Sequence, residues 1–180
     1  MKKITFKFSA TTFIILSMMA SCSEKYTSEV KEGITIVTNE DGATLGYSTE
    51  SGVAIIAQDR YAFKDLNKNG SLDSYEDWRL PVTERAKDLA SKMSLEDIAG
   101  LMLYSSHQSI PSGSRGYGSS VYNGKPFEES GAASSDLSDG QKKFLTDDHL
   151  RHVLITSVES PAVAAQWNNN AQAFAESLYL

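Results

Sequence analysis

The hydrophobic and polar positions divide the chain into segments of different periodicity. An uncharged, mostly apolar run ends at Ala20, two short β-like runs lie at 34–38 and 53–57, and helical spacing begins at Pro81. After residue 94 the predicted helices and strands alternate. This order predicts an α/β fold with a parallel sheet.

The segment after Pro81 is predicted to hold two helices. The first has one apolar face, whose members recur at helical spacing: Ala86, Leu89, Ala90 and Met93. Ser94 and Asp97 have the spacing of a capping box, which predicts the start of the second helix. The apolar run 101–104 fits either a continuation of that helix or the beginning of a buried strand, because periodicity alone does not distinguish them.

A strand followed by a helix is predicted near the end of the chain. The run 152–156 is typical of a buried strand, and Ser160 followed by Pro161 is typical of a helix start. The helix carries an apolar stripe, so Trp167 is expected in the core rather than in a sugar-binding platform. No stop signal follows the stripe. Its members are Ala164, Trp167, Ala171, Phe174 and Leu178.

Between these parts lies a polar segment, 111–140, that is rich in small residues. It contains eight Ser and six Gly, which leaves too little apolar surface to offset the entropy of ordering. We therefore expect a long loop. Compact domains seldom contain such a loop unless it is functional or disordered.

The first residues have the organisation of an export signal. Lys2, Lys3 and Lys7 precede a short apolar run that ends in small residues. The tetrapeptide 19–22, Met-Ala-Ser-Cys, resembles the lipobox of bacterial lipoproteins and predicts a lipoprotein signal over 1–21 with lipidation of Cys22. The alternative is an ordinary signal peptide that leaves a free thiol. Either interpretation places the protein outside the cytoplasm, and lipidation predicts an anchor in the periplasm or at the outer membrane.

Composition and charge narrow the class of partner. The 180 residues include 17 Lys and Arg against 23 Asp and Glu, a net charge of −6. This balance provides no basic surface for nucleic acid, so nucleic acid is excluded as an expected partner. The single cysteine excludes an internal disulfide and a cysteine-based zinc site.

The sharpest local motif is the twelve-residue segment 65–76. It has the oxygen-bearing side chains of an EF-hand calcium loop, with Gly70 at position 6 for the chain reversal and Leu72 at position 8. Because the preceding stretch is β-like, we expect a lone, structural Ca²⁺ loop rather than a helix-flanked EF-hand. The alternative is a turn whose oxygens face water. The predicted ligands are Asp65, Asn67, Asn69, Ser71 through its carbonyl, Asp73 through water, and Glu76.

The three histidines carry weaker signals. His149 and His152 have no third ligand at a recognisable spacing, so core or surface positions are expected for both. His107 follows the run 101–105 and would lie at the catalytic face if that run were a barrel strand. The sequence contains no Ser-His-Asp order, phosphate-binding Gly-Lys loop or His-Glu-x-x-His motif.

Several segments resemble the beginning of family 3 glycoside hydrolases, most closely the exported β-glucosidase-like enzymes of Gram-negative bacteria. The most specific segment is 85–97, which follows the pattern R-A-x-D-L-x-x-x-M-[ST]-L-E-[DE]. The segments 63–70, 75–80 and 98–102 and the helix from Ser160 extend the likeness over about residues 44–180.

This resemblance implies a TIM-like (β/α)8 barrel whose first strand lies near 101–104. It implies retaining, exo-acting hydrolysis of β-linked glucosides or oligosaccharides by an Asp nucleophile and an acid/base carboxylate, without a catalytic cofactor. The family places these groups beyond residue 180, so no catalytic residue is assigned. Since a barrel needs about 200 to 250 residues, we expect an N-terminal fragment that is inactive alone.

The sequence is thus divided into a signal at 1–21, a tether with a short β segment at 22–62, the EF-hand-like loop at 63–80, and the truncated start of the barrel at 81–180. The expected partners are a saccharide substrate in the full-length enzyme and a membrane that receives the lipid anchor. Two other classes remain open: a calcium-binding surface lipoprotein that acts as an interaction module, and a dockerin-like module, which would need a second copy of the loop.

Overall fold

The computed structural model describes residues 23–113 and 121–178. The predicted signal and Cys22 therefore lie outside the described residues. The described strands are β1 Tyr26–Lys31, β2 Ile34–Asn39, β3 Thr44–Ser48, β4 Ala54–Gln58, β5 Tyr61–Asp65, β6 Gln108–Ile110, β7 Val121–Tyr122, β8 Lys125–Pro126 and β9 Ile155–Val158. The described helices are α1 Val82–Lys92, α2 Leu95–Leu101, α3 Phe127–Ser130, α4 Asp139–Thr146 and α5 Pro161–Ser177.

The segment predicted as a tether with one strand is instead a three-stranded antiparallel sheet of β1, β2 and β3. The β1–β2 turn is formed by Glu32 and Gly33, both at positive φ, and such turns match the twist of the flanking strands. Ser23, the first residue that the structure describes, also has a fixed position, because Arg60 Nε donates to its carbonyl oxygen at 2.6 Å. The chain is therefore ordered from the first residue that the structure describes.

One asparagine joins this sheet to the β4–β5 hairpin. Asn39 Oδ1 accepts from the Ala62 amide at 2.7 Å, and Asn39 Nδ2 donates to the Ala62 carbonyl at 3.2 Å and to the Ala43 carbonyl at 2.9 Å. Asn39 and Ala62 are both buried. The side chain thus provides the hydrogen bonds that a backbone ladder would make between the two sheets.

Trp78 covers the hairpin. Its ring stacks on Phe63 with centroids 5.4 Å apart and meets the edge of Tyr61 at 5.6 Å, and its Nε1 donates to the Ala62 carbonyl at 3.0 Å. Gly42 lies directly against this ring, because a Cβ there would be 2.3 Å from Trp78 Cη2. The glycine is therefore required by a close approach.

The helical predictions after Pro81 are confirmed in part. Ser94 and Asp97 form the predicted capping box, with both reciprocal hydrogen bonds present at the start of α2. The run 101–104 is not a strand: α2 continues to Leu101, and Tyr104 makes one isolated bridge to His152. The first strand of the parallel pair is β6, which begins seven residues after the end of α2. Its first two residues are polar, so hydrophobic periodicity does not mark this segment as a strand.

Two parallel strands form the centre of the second half. β6 pairs with β9, and α5 packs against both. The strand predicted at 152–156 begins later, at Ile155, and is half-buried to exposed because a two-stranded sheet gives it one neighbour. Across residues 23–113 and 121–178 the strands make four small sheets and no closed barrel.

The long polar segment contains more structure than predicted. Residues 114–120 lie outside the described part, but β7 and β8 form a hairpin around Asn123 and Gly124, both at positive φ. Asn-Gly is a strong hairpin signal. Ser138 and Gln141 form a second capping box at the start of α4, at the spacing typical of that motif.

The helix from Ser160 is confirmed, with the Ser160 hydroxyl accepting from the Val163 amide at 3.2 Å and Pro161 at the first position. Its predicted apolar stripe faces the core, where Trp167 is 2% exposed and packs with Ile110 and Leu145. The helix ends at Ser177, since Leu178 is extended. None of the helices in the described ranges is long and apolar enough to span a bilayer.

We predict that Gly42→Ala lowers the free energy of unfolding by about 1 to 3 kcal/mol, because the new methyl group overlaps the Trp78 ring. Chemical denaturation followed by Trp fluorescence measures the change. Gly46→Ala is the matched control, since a Cβ at Gly46 meets nothing within 4 Å and its φ is not positive. Equal destabilisation by both variants would contradict the prediction.

Candidate functional site

The loop that carries the calcium-like motif begins where β5 ends. Asp65, the last residue of β5, is 4% exposed, and Glu76, at the far end of the loop, is 5% exposed. Asp65 accepts from the Asn69 and Gly70 amides at 3.0 and 2.9 Å. Gly70 has a φ of 75°, so the predicted glycine does make the reversal.

Glu76 closes the loop from its other end. One carboxylate oxygen accepts from the Leu66 amide at 2.7 Å, and the other accepts from the Asp73 amide at 3.0 Å. A single side chain therefore ties the first turn of the loop to the last. Burying a carboxylate is costly unless its oxygens receive hydrogen bonds, and these amides provide them.

The remaining predicted ligands turn toward one another. Asn67 Nδ2 and Asn69 Nδ2 both donate to Asp73 Oδ2, at 2.7 and 2.9 Å. The side-chain oxygen of Asn69, Oδ1, accepts from the Ser71 amide at 2.7 Å. The side-chain oxygens that would bind a cation are thus used in hydrogen bonds within the loop.

The structure leaves the calcium interpretation a prediction. Within the described ranges, no group of three or more His, Cys, Asp or Glu side chains is arranged to hold a metal ion. The loop follows a strand, as expected, and residues 74–80, which include its last three residues, form turns rather than a helix. All the donors are oxygens, which suits Ca²⁺, but binding would require the amides of Asn67 and Asn69 to rotate.

Helix α1 braces the end of the loop. Asp88 accepts from the Tyr75 amide at 3.0 Å, and Arg85 Nε donates to the Tyr75 carbonyl at 3.1 Å. Lys92 Nζ lies 2.6 Å from Asp88 and 3.3 Å from Asp73 Oδ1. Arg85 and Asp88 belong to the most specific segment of the resemblance. In this chain both residues bind the backbone of Tyr75 and so attach α1 to the loop.

These contacts change the acidity of the groups involved. The hydrogen bond from Lys92 lowers the pKa of Asp88. Burial, followed by the negative charge of Glu76, raises the pKa of the Tyr75 phenol. Tyr75 therefore stays protonated throughout the physiological range.

A second cluster lies beside the loop around Arg79. Its guanidinium binds Asp77 at 2.7 Å and the exposed Asp59 at 3.0 Å, and it lies 4.7 Å above the ring centre of Phe63. The hydrogen bond from Arg79 lowers the pKa of Asp77. This cluster was not predicted from the sequence, because Asp59 and Arg79 are brought together only by the β4–β5 turn.

None of the three histidines belongs to a metal-binding group within the described residues. His107 is exposed and precedes β6, so it lies at the amino end of the strand and not at the carboxyl end expected of a catalytic face. His149 Nδ1 lies 2.5 Å from Asp97, and His152 is exposed. The expectation of core or surface positions for His149 and His152 agrees with these placements.

Comparison with known proteins finds a similarity to a glycosidase. The chain is 35% identical over 130 residues to a periplasmic beta-glucosidase/beta-xylosidase of Dickeya chrysanthemi, a match that covers 72% of this chain and 17% of the relative. The chain matches no protein-family model. The identity supports a relationship to glycoside hydrolases, and the chain spans less than a fifth of the length of that relative.

We predict that Asp77→Asn lowers the free energy of unfolding at pH 7 by about 1 to 3 kcal/mol, because it removes the charged partner of Arg79. Since folding lowers the pKa of Asp77, its contribution is present above the unfolded value of about 4 and is lost as the pH falls through the folded value. Urea denaturation at a series of pH values measures the convergence of variant and native protein at low pH.

Asp59→Asn is the matched control. It removes the same charge from the same arginine, but the Asp59 side chain is 68% exposed, so a change within about 0.5 kcal/mol is expected. A destabilisation by Asp77→Asn that did not diminish at low pH would contradict the assignment.

Proposed function

We propose that this chain is the amino-terminal part of an exported glycoside hydrolase that acts on β-linked glucosides or xylosides. The observation that carries the proposal is the 35% identity over 130 residues to the periplasmic beta-glucosidase/beta-xylosidase. The Arg85 to Asp97 segment, typical of family 3, supports membership of that family. The comparison gives no support to the alternative of a calcium-binding surface lipoprotein.

The arrangement of the second half supports the start of a barrel. A parallel strand pair, β6–β9, is joined through a crossover that contains α3 and α4, and α5 then packs on the pair. This is the β-α-β-α order from which (β/α)8 barrels are built. Several large apolar side chains near it are exposed, including Met102 at 81% and Tyr104 at 73%. Further strands and helices of the barrel would cover them.

The proposed reaction is hydrolysis with retention of configuration. In that mechanism one carboxylate forms a glycosyl intermediate and a second acts first as acid and then as base, at a separation of about 5 to 5.5 Å. We assign both groups to the part of the enzyme that follows residue 180. The contribution of this chain to the reaction would be structural: it supplies a parallel strand pair and the braced loop 65–76.

The proposal includes export and a lipid anchor. The basic and apolar start of the chain and the lipobox-like Met-Ala-Ser-Cys support cleavage before Cys22 and its acylation. Acyl chains contribute about 0.8 kcal/mol per buried CH₂ group, so several chains on Cys22 would hold the protein at a membrane. The periplasmic relative supports export to the periplasm.

We predict that the isolated 180-residue chain does not hydrolyse aryl β-glucosides or aryl β-xylosides above the uncatalysed rate. A polypeptide that continues into the barrel should hydrolyse at least one of them. Release of the aryl chromophore measures both, and circular dichroism establishes that each sample is folded. Turnover by the isolated chain would contradict the assignment of both catalytic carboxylates beyond residue 180.

We also propose that the loop 65–76 binds a structural Ca²⁺. Asp65, Asn67, Asn69, the Ser71 carbonyl, Asp73 through water and Glu76 would hold the ion, and the closed loop already has the backbone reversal that such a site needs. Lys92 is a competing cation, because its ammonium lies 3.3 Å from Asp73. With few charged ligands, affinity in the range of about 0.1 to 1 mM is expected.

We predict that Lys92→Gln tightens calcium binding several-fold, because it removes the competing positive charge. Calorimetric titration of EDTA-treated protein measures the affinity. At a dissociation constant of about 1 mM, about 10 mM Ca²⁺ should stabilise the protein by about 1.4 kcal/mol. Lys87→Gln, an exposed lysine on the same helix, is the control, and Glu76→Gln should weaken binding. Equal calcium affinity in the native protein and the three variants would contradict the proposed site.

A further inference from the structure

A polar cleft lies between the first sheet and helix α5. It has a volume of about 450 Å³, within the range of about 300 to 1,000 Å³ typical of small-molecule sites. One wall is the β2–β3 side of the sheet and includes Tyr47, and the other is a row of side chains on α5. That row consists of Gln166, Asn169, Asn170, Gln172 and Glu176.

The charge of the lining limits the class of ligand. Among the described residues that line the cleft, three are glutamates and none is Lys, Arg or His. A phosphate or carboxylate ligand would therefore meet repulsion without a compensating cation. A cationic ligand would gain little, since Glu176 is already paired with Lys64 and water screens the charges of the exposed Glu32 and Glu50. The lining fits an uncharged polar ligand.

Several polar groups of the lining have unused hydrogen-bonding capacity. Within the described part of the chain, neither the Tyr47 hydroxyl nor the Asn169 carboxamide has a hydrogen-bond partner. The Gln166 and Gln172 amides donate along the helix, at 3.0 and 3.2 Å, which leaves their carbonyl oxygens as acceptors. These groups line one cavity and offer both donors and acceptors.

Glu176 adds an independent observation. Its side chain is 10% exposed, and Oε1 pairs with Lys64 and accepts from Gln172. Its other oxygen, Oε2, is buried and has no hydrogen-bond partner among the described residues. A buried acceptor without a partner raises the free energy of the folded protein, so a rotation of the Glu176 side chain that brought Oε2 to a hydroxyl in the cleft would be favourable.

The cleft is also long. A second cavity of about 350 Å³ adjoins it and shares Ser48, Glu50, Asn170 and Ala173 with it. The second cavity adds Asn123, and its charged lining residues are Asp136, Lys142 and the shared Glu50. Two adjoining cavities with common walls accommodate an extended ligand better than a single compact one.

We propose that this cleft, formed by β3 and α5, binds an uncharged oligosaccharide. Each sugar hydroxyl both donates and accepts, as carboxamide side chains do, and the ring of Tyr47 provides an apolar surface for the C–H face of a sugar. The site is separate from the catalytic groups, which the proposed function places in a later part of the enzyme. It would hold a polymer while the catalytic site acts on a chain end.

The test is hydrogen–deuterium exchange of the full protein, read by mass spectrometry, with a tetramer of β-1,4-linked glucose joined through sulfur. The sulfur linkage resists hydrolysis, so binding is separated from catalysis. We expect protection in peptides that cover β3 and the second half of α5. The absence of protection in these two elements at millimolar ligand would overturn the proposal.

Two variants identify the contacts. Asn169→Ala should weaken binding about three- to tenfold, the loss of one hydrogen bond, and Tyr47→Ala should weaken it as well. Asn168→Ala is the matched control, because Asn168 is the adjacent exposed residue of α5 and does not line the cleft. Equal effects of Asn168→Ala and Asn169→Ala would overturn the proposal.

The choice of a β-glucan probe rests on the proposed function, so sulfur-linked xylose and α-linked glucose tetramers form two further arms. Protection by the α-linked tetramer alone would support a saccharide cleft and count against the β-glycosidase assignment. Protection by a simple polyamine but by none of the three saccharides would overturn the saccharide class and leave the proposed function untouched.

Discussion

The closure of the loop 65–76 by Glu76 is the constraint on which the first half of the molecule depends. This carboxylate receives backbone amides from both ends of the loop, and Asp65 receives two more from its middle. The loop then fixes Tyr75, to which α1 is attached through Arg85 and Asp88. Loss of this closure would weaken the attachment of α1 to the β-rich first part.

The same loop region also contacts the far end of the chain. Lys68 donates to the Ser177 carbonyl at 3.2 Å, and Lys64 pairs with Glu176. The ammonium groups of both lysines reach the carboxyl end of α5. Positive charge there offsets the helix dipole, and the last carbonyl groups of the helix accept hydrogen bonds. The β-hairpin, the loop and α5 are therefore connected through side chains that are more than 100 residues apart in the sequence.

Local signals allowed accurate prediction where the structure is determined by neighbours in sequence. The Ser94–Asp97 capping box and the Ser160–Pro161 helix start involve residues within one turn, and the Trp167 stripe is a helical repeat. Strand β2 was predicted, but its partners β1 and β3 were missed, because β1 is almost wholly exposed and β3 has no fully buried residue. That pattern hides the alternation by which a half-buried strand is recognised.

Pairing across long distances could not be read from the sequence. Strand β6 is short and begins with Gln108 and Ser109, and its partner β9 lies more than forty residues later. The Asp97–His149 contact likewise depends on the close packing of α2 against the backbone of His149. A Cβ at Gly100 would lie 2.2 Å from the His149 carbonyl oxygen. The polar cleft is a further case: Tyr47 and Asn169 belong to elements that meet only in the folded chain.

The contact between Arg60 and Ser23 holds the first described residue against the turn between β4 and β5. Arg60 holds Ser23, and the Lys25 amide donates to the Arg60 carbonyl at 2.8 Å. Cys22 directly precedes Ser23 in the sequence, and successive Cα atoms are about 3.8 Å apart. A lipid on Cys22, as proposed, would therefore be attached one residue from a segment that Arg60 holds against the β4–β5 turn.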